Sequence, residues 1–210
     1  TNQIWRNDGK DRSGNDIWTA TGQPGDGIGS LTDIDGCDCG DIDKDGDLDI
    51  VIGSSSGDSY LLENQWTDQD ILTFDTTRIG TNANTESLTL VDFDDDGDLD
   101  IYFVVDNAAN QLWENSTNDQ NHLYVDALYD NGNSSSRYAV GANVIITDCD
   151  GNINGMRQIN GAKGHGSQHQ NKVLFGLDPS LMYTVSVHYV FKNGSRAVVK
   201  KTVVPQDQSG

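Results

Sequence analysis

Glutamate is nearly missing from this 210-residue chain, with 3 Glu against 30 Asp. Glutamate supports helices, whereas aspartate favours turns and caps. The imbalance therefore argues against a helical protein. Proline is scarce, at 3, and glycine is plentiful, at 23, which fits a turn-rich β protein. Positive charge is also short: 13 Lys and Arg face 33 acidic residues, for a net charge of −20 and a pI near 4.1. Phosphate-rich partners would meet like charge, so neither nucleic acid nor an anionic membrane is an expected partner. No apolar run approaches the length of a membrane span, and no secretory leader is visible, so no membrane insertion is expected. The chain begins at Thr1 rather than Met, as a processed or excised piece would. Its length suits one large domain or two small ones. Cysteine is limited to Cys37, Cys39 and Cys149. A bridge within Cys37-Asp38-Cys39 would be strained, whereas one from either residue to Cys149 would tie the two halves together. The odd count leaves at least one thiol free or paired to another chain.

What the chain does have is aspartate at fixed spacing. Residues 41–49, Asp-Ile-Asp-Lys-Asp-Gly-Asp-Leu-Asp, recur as residues 92–100, Asp-Phe-Asp-Asp-Asp-Gly-Asp-Leu-Asp. Asp41, Asp43, Asp45, Asp47 and Asp49 hold positions 1, 3, 5, 7 and 9, and Asp92, Asp94, Asp96, Asp98 and Asp100 repeat them. Five carboxylates within nine residues repel one another, so a compact loop needs a cation. Ca²⁺ suits an all-oxygen ligand set in flexible geometry better than Mg²⁺, which demands a strict octahedron. Glycine at position 6 permits the sharp turn. An EF-hand would need Glu at position 12 and flanking helices. Here position 12 is Ile52 or Phe103, and both loops run into apolar, partly β-branched segments that read as strands. Position 9 must therefore close the site, and the expectation is two calcium sites on strand-connecting loops.

The sequence here resembles the FG-GAP (VCBS, integrin-α-like) repeat of β-propellers, whose loop reads Asp-h-Asp-x-Asp-Gly-x-x-Asp-h, with h apolar. Residues 41–50 and 92–101 match it at every position. The resemblance implies that Asp41, Asp43, Asp45 and Asp49 give side-chain oxygens and Asp47 its backbone carbonyl. Asp92, Asp94, Asp96, Asp100 and Asp98 would do the same in the second loop.

Repetition extends beyond the loops. Asn2-Gln3-Ile4-Trp5-Arg6-Asn7 recurs as Asn110-Gln111-Leu112-Trp113-Glu114-Asn115, with a degenerate copy at Ser59-Tyr60-Leu61-Leu62-Glu63-Asn64. A fixed period of this size signals a propeller or solenoid. Trp5, Trp113, Leu61 and Leu112 are expected to anchor the core between repeats, with sugar stacking the alternative for a Trp. Asp33-Ile34-Asp35-Gly36 departs from the loop register and reads as a turn, or else as a minor ion site. A closed propeller needs at least four blades, and two repeats leave open edges. The repeats must belong to a longer propeller, pack against the C-terminal part, or self-associate through those edges.

The polar segment Ser116–Asn121 marks a boundary, giving a repeat region over 1–117 and a second domain over 118–210. Beyond it, alternating segments lie near 122–128, 140–147, 153–160, 171–176, 182–190 and 196–204. Turn signals at Asn131-Gly132, Asp150-Gly151, Asp178-Pro179 and Asn193-Gly194 separate them. The fold class is all-β: partial propeller-type repeats followed by a β-sandwich or barrel. Gly141-Ala142-Asn143-Val144, Gly161–Gln168, Phe175-Gly176-Leu177 and Lys192-Asn193-Gly194-Ser195 resemble the ASPIC/UnbV domain. That family follows FG-GAP repeats in secreted acidic proteins of the cartilage-acidic-protein type. Phe191-Lys192 stands where the family has Trp-Pro.

Catalytic patterns do not assemble. Gly161–Gln168 lacks the Gly-Lys-Ser/Thr of a phosphate loop. His165, Ser167 and His169 lack a nucleophile-elbow context. Sequons at Asn115, Asn133 and Asn193 would accept glycans only in a eukaryotic source. The expected function is that of a secreted or cell-surface, calcium-binding, non-catalytic adhesion or recognition protein for a protein or glycan. Two alternatives remain: an accessory or lectin-like module of a polysaccharide-degrading enzyme, and a structural assembly protein.

Overall fold

In a computed structural model the described residues are 4–21, 31, 33–65, 72–80, 84–117, 121–130, 136–161, 168 and 170–205. They form seventeen strands and no α-helix. The Asn131-Gly132 turn, Asn133, His165, Ser167, His169, Asn2, Gln3 and residues 118–120 of the expected boundary lie outside the described residues.

Strands β1 (Ile4–Lys10) and β2 (Asp16–Thr21) form a separate hairpin. Strands β3 (Ile34–Gly40), β4 (Asp49–Ser54), β5 (Ser59–Asn64) and β6 (Phe74–Ile79) make an antiparallel four-stranded sheet in sequence order. Strands β7 (Thr85–Val91), β8 (Asp100–Val105) and β9 (Gln111–Trp113) make a three-stranded sheet of the same design. The first aspartate loop joins β3 to β4 and the second joins β7 to β8, so strands flank both loops. Between the sheets Val51, Leu88, Leu90, Ile101, Phe103 and Val105 form one core, with Leu61 packed on it. A buried polar contact fixes the two sheets together. Asp38, 2% exposed, accepts the Leu90 N–H at 3.0 Å.

Several sequence expectations are corrected here. Trp5, Trp113 and Leu112 are 55%, 39% and 45% exposed, so of the expected anchors only Leu61 joins the core. The reason is architectural: β1 pairs only with β2 among the described strands, with Ile4 rather than Trp5 packed on the first sheet's core, and β9 is the outermost strand of its sheet. Asp33-Ile34-Asp35-Gly36 is not a turn. It enters β3, whose glycines and aspartates gave no apolar alternation to read. Cys37, Cys39 and Cys149 form no disulfide, and all three are exposed.

The C-terminal part follows the expected strands closely. They are β10 (His122–Asp126), β13 (Asn143–Thr147), β14 (Ile153–Gln158), β15 (Lys172–Gly176), β16 (Tyr183–Val190) and β17 (Arg196–Val203). A small hairpin of β11 (Leu128–Asp130) and β12 (Ser136–Tyr138) is added. Strands β14-β13-β16-β17 form one sheet and β10-β15 a second ladder. Both surround one core that includes Val144, Ile146, Phe175, Val185 and Val187. Alternation explains this, since side chains two apart share a face. The described strands close no barrel. The architecture is all-β, with propeller-type repeats followed by a sandwich-like unit.

Candidate metal centre

Each aspartate loop is a succession of tight turns held by its own carboxylates. Asp41 accepts the Gly46 N–H at 3.3 Å, Asp43 that of Asp45 at 3.2 Å, and Asp45 that of Asp47 at 3.0 Å. In the second loop Asp92 accepts from Asp96 at 3.2 Å and Gly97 at 3.0 Å, and Asp96 from Asp98 at 2.9 Å. Gly46 and Gly97 take φ of 104° and 94°, a region open to glycine at little cost. Position 4 is also left-handed, with φ of 62° at Lys44 and 61° at Asp95. This turns both side chains out of their own loops.

Oxygens of Asp41, Asp43 and Asp45 lie within 4.8 Å of one another, as do those of Asp92, Asp94 and Asp100. The two groups are not identical. Asp49 and Asp96 stand outside them, and the Asp98 side chain is paired with Lys44. Asp49 has a different occupation: its carboxylate accepts the Ile42 N–H at 2.8 Å and the Asn64 N–H at 2.9 Å. Asp100 does the same with Phe93 at 3.0 Å and Asn115 at 2.8 Å. Position 9 therefore latches each loop to the end of the strand after next. Asn115 also donates to the Ile42 carbonyl at 3.0 Å, so this sequon side chain links the two repeats.

The donor set fits a hard divalent cation. Burial holds the Asp41, Asp43 and Asp100 carboxyls above their ordinary range and lifts Asp49 to about 7. Asp94 is raised by desolvation and by repulsion from Asp96. Ionised carboxylates crowded in this way gain from a cation that supplies the opposite charge. Oxygen-only donors match the preference of Ca²⁺, which accepts them in variable geometry.

Both centres abut the C-terminal domain, which no local motif indicated. The Gly176 N–H donates to Asp41 at 3.0 Å, and the Arg157 guanidinium lies 3.6 Å from the same oxygen. A Cβ on Gly176 would lie 2.6 Å from Lys44 Cα and 2.7 Å from Asp41 Oδ2, so only glycine allows this approach. The Tyr124 hydroxyl donates to Asp92, and the Gln170 amide donates to the Asp92 carbonyl at 2.8 Å. Lys172 pairs with Asp95 at 2.8 Å, lies over the Tyr124 ring and keeps the Asp95 carboxyl below its usual range. Burial, together with the Asp92 charge, pushes the Tyr124 hydroxyl up, so it stays a donor. A cleft of about 190 Å³ at this junction is lined by Cys39, Asp41, Tyr124, Arg157, Gln170 and Lys172, among others.

Comparison with known families places these features. Residues 41–103 match the FG-GAP-like repeat, which spans both loops. Residues 132–208 match the family described as ASPIC and UnbV. A search of curated proteins gave no match. The chain thus carries an FG-GAP-like repeat region followed by an ASPIC/UnbV domain.

Proposed function

We propose that this is an extracellular, calcium-binding, non-catalytic recognition protein whose ligand is a glycan or a protein. The observation that carries the calcium part is the gathering of three carboxylates within 4.8 Å on each of two strand-flanked loops. Asp41, Asp43 and Asp45 would hold one ion and Asp92, Asp94 and Asp100 the other. Asp47 and Asp98 would contribute backbone carbonyls, while Asp49 and Asp96 shape the loops and Asp100 also latches its own. The bound ion supplies charge compensation and oxygen coordination. The chain's own residues do the rest: Gly176, Arg157, Tyr124 and Lys172 clamp the loops to the C-terminal domain and fix the surfaces on either side. An extracellular location suits this reading, because modules there can use sites as weak as roughly 10⁻⁴–10⁻³ M for calcium. No described helix is long and apolar enough to cross a membrane.

A specific observation favours a glycan among the ligands. Trp5 pairs with Ala20 and Asn7 with Trp18 in the β1–β2 hairpin, so Trp5 and Trp18 share one face as diagonal neighbours. They are 55% and 53% exposed, an aromatic platform of the kind that stacks on sugar rings. Calorimetric titration with Ca²⁺ and Mg²⁺ tests the metal. Binding of two Ca²⁺, stronger than Mg²⁺, is expected, and the absence of binding would refute it. A glycan array read with and without calcium, and with Trp5→Ala and Trp18→Ala, tests the ligand. Turnover of uronic-acid polymers, abolished by a single substitution, would instead favour an enzyme.

A further inference from the structure

Charge is split along this chain. The first 131 residues hold 29 acidic and 5 basic side chains, net −24, and the remainder 4 acidic and 8 basic, net +4. Elsewhere the cations are mostly spent: Arg6, Lys10, Lys44, Arg78, Arg157 and Lys172 each sit on an aspartate. Strand β17 differs. Lys192, Arg196, Lys200 and Lys201 fall within ten residues, and the first three have no acidic partner among the described residues.

This strand is the outermost in its sheet, and seven of its eight residues are exposed. Its ladder with β16 is regular from Tyr183↔Val203 to Val190↔Arg196, with no bulge to blunt the other edge. Val198 and Val199 are 50% and 56% exposed, beside exposed Val190 and Phe191. Inward-facing Tyr183, Val185 and Val187 of β16 are buried, yet opposite them on β17 only Val203 is covered. Long, regular, apolar edges are templates for added strands, and natural proteins normally protect them. Edge cations are one such protection against like strands, and they leave an acidic strand as the kind this edge would attract.

We propose that the outer edge of β17 docks an extended acidic polypeptide strand of a partner protein. The edge supplies main-chain hydrogen bonds, Val198 and Val199 take apolar side chains, and Lys192, Arg196 and Lys200 select acidic neighbours. An anionic polysaccharide would use the cations but neither the edge nor the valines. This inference is independent of calcium.

The probe is a short labelled peptide alternating valine and glutamate, titrated into the full chain and read by fluorescence anisotropy. Binding that weakens with salt is expected, with about a tenfold or greater loss in Arg196→Glu/Lys200→Glu, equal to at least ~1.4 kcal/mol. A peptide with N-methylated backbone amides should lose binding too, and this arm leaves the protein unaltered. Equal binding of an alternating valine–lysine peptide would overturn the proposal. So would indifference to N-methylation, or self-association of the chain through the same strand in sedimentation.

Discussion

Lys44 of the first aspartate loop is ion-paired with Asp98 of the second, with both side chains buried. The pair joins the two candidate centres directly. Removing one partner strands a buried charge, so Lys44→Met should cost about 3 kcal/mol in urea unfolding. Lys44→Met with Asp98→Leu should recover most of that loss, because both charges are then gone while the Asp98-position carbonyl remains. A double variant no more stable than the single one would show that the pair is not the source.

Calcium removal should lower the melting temperature in calorimetry, and Ca²⁺ should restore it better than Mg²⁺. Asp41→Asn or Asp92→Asn should reduce this calcium-dependent rise. An unchanged melting curve in EDTA would count against metal at either loop.

The pH response has a defined sign. Asp49 rises from an ordinary 3.8 to about 7 on folding because burial disfavours its charged form. The native state thus holds this proton more tightly than the unfolded state, and stability falls as pH rises. Without calcium, stability from this group should fall between about pH 4 and pH 7 and level off above. With calcium the ionised form is favoured, so the gain in melting temperature from added Ca²⁺ should grow across the same window. Denaturation curves at stepped pH, with and without calcium, measure both.

Gly176→Ala would place a methyl group against the Lys44 backbone and the Asp41 carboxylate. Overpacking of this kind costs about 1–3 kcal/mol. Limited proteolysis should show the junction opening while the two halves keep their strands. Wild-type resistance would mean that the contact yields without loss.

Tyr124→Phe removes the hydroxyl that donates to Asp92 and leaves the ring under Lys172. Hydrogen bonds to charged groups are worth about 1.5–3 kcal/mol, and a loss in that range is expected by chemical denaturation. An effect near zero would show that solvent replaces the hydroxyl.

The aspartate loops were legible because everything that defines them lies within nine consecutive residues. The partners of those loops were not: Tyr124 is 32 positions from Asp92, and Gly176 is 135 from Asp41. No local pattern carries such pairings. The C-terminal strands could be read because Val144/Ile146 and Val185/Val187 alternate cleanly, whereas β3 was missed because its Gly and Asp residues hide the period. Trp5 and Trp113 misled, because aromatic bulk suggests a core only where another sheet covers it. Position 9 was read as a ligand alone, and its latch to Asn64 or Asn115 emerges only when the later strand folds back.

The uneven distribution of charge also governs how the molecule meets anything else. A chain with net −24 over residues 1–131 and +4 over the rest repels an acidic target along most of its sequence and attracts it only along the last part. That unevenness steers which stretch an acidic target meets first. At low ionic strength the steering reaches far, and at about 0.15 M salt it acts only within roughly 8 Å.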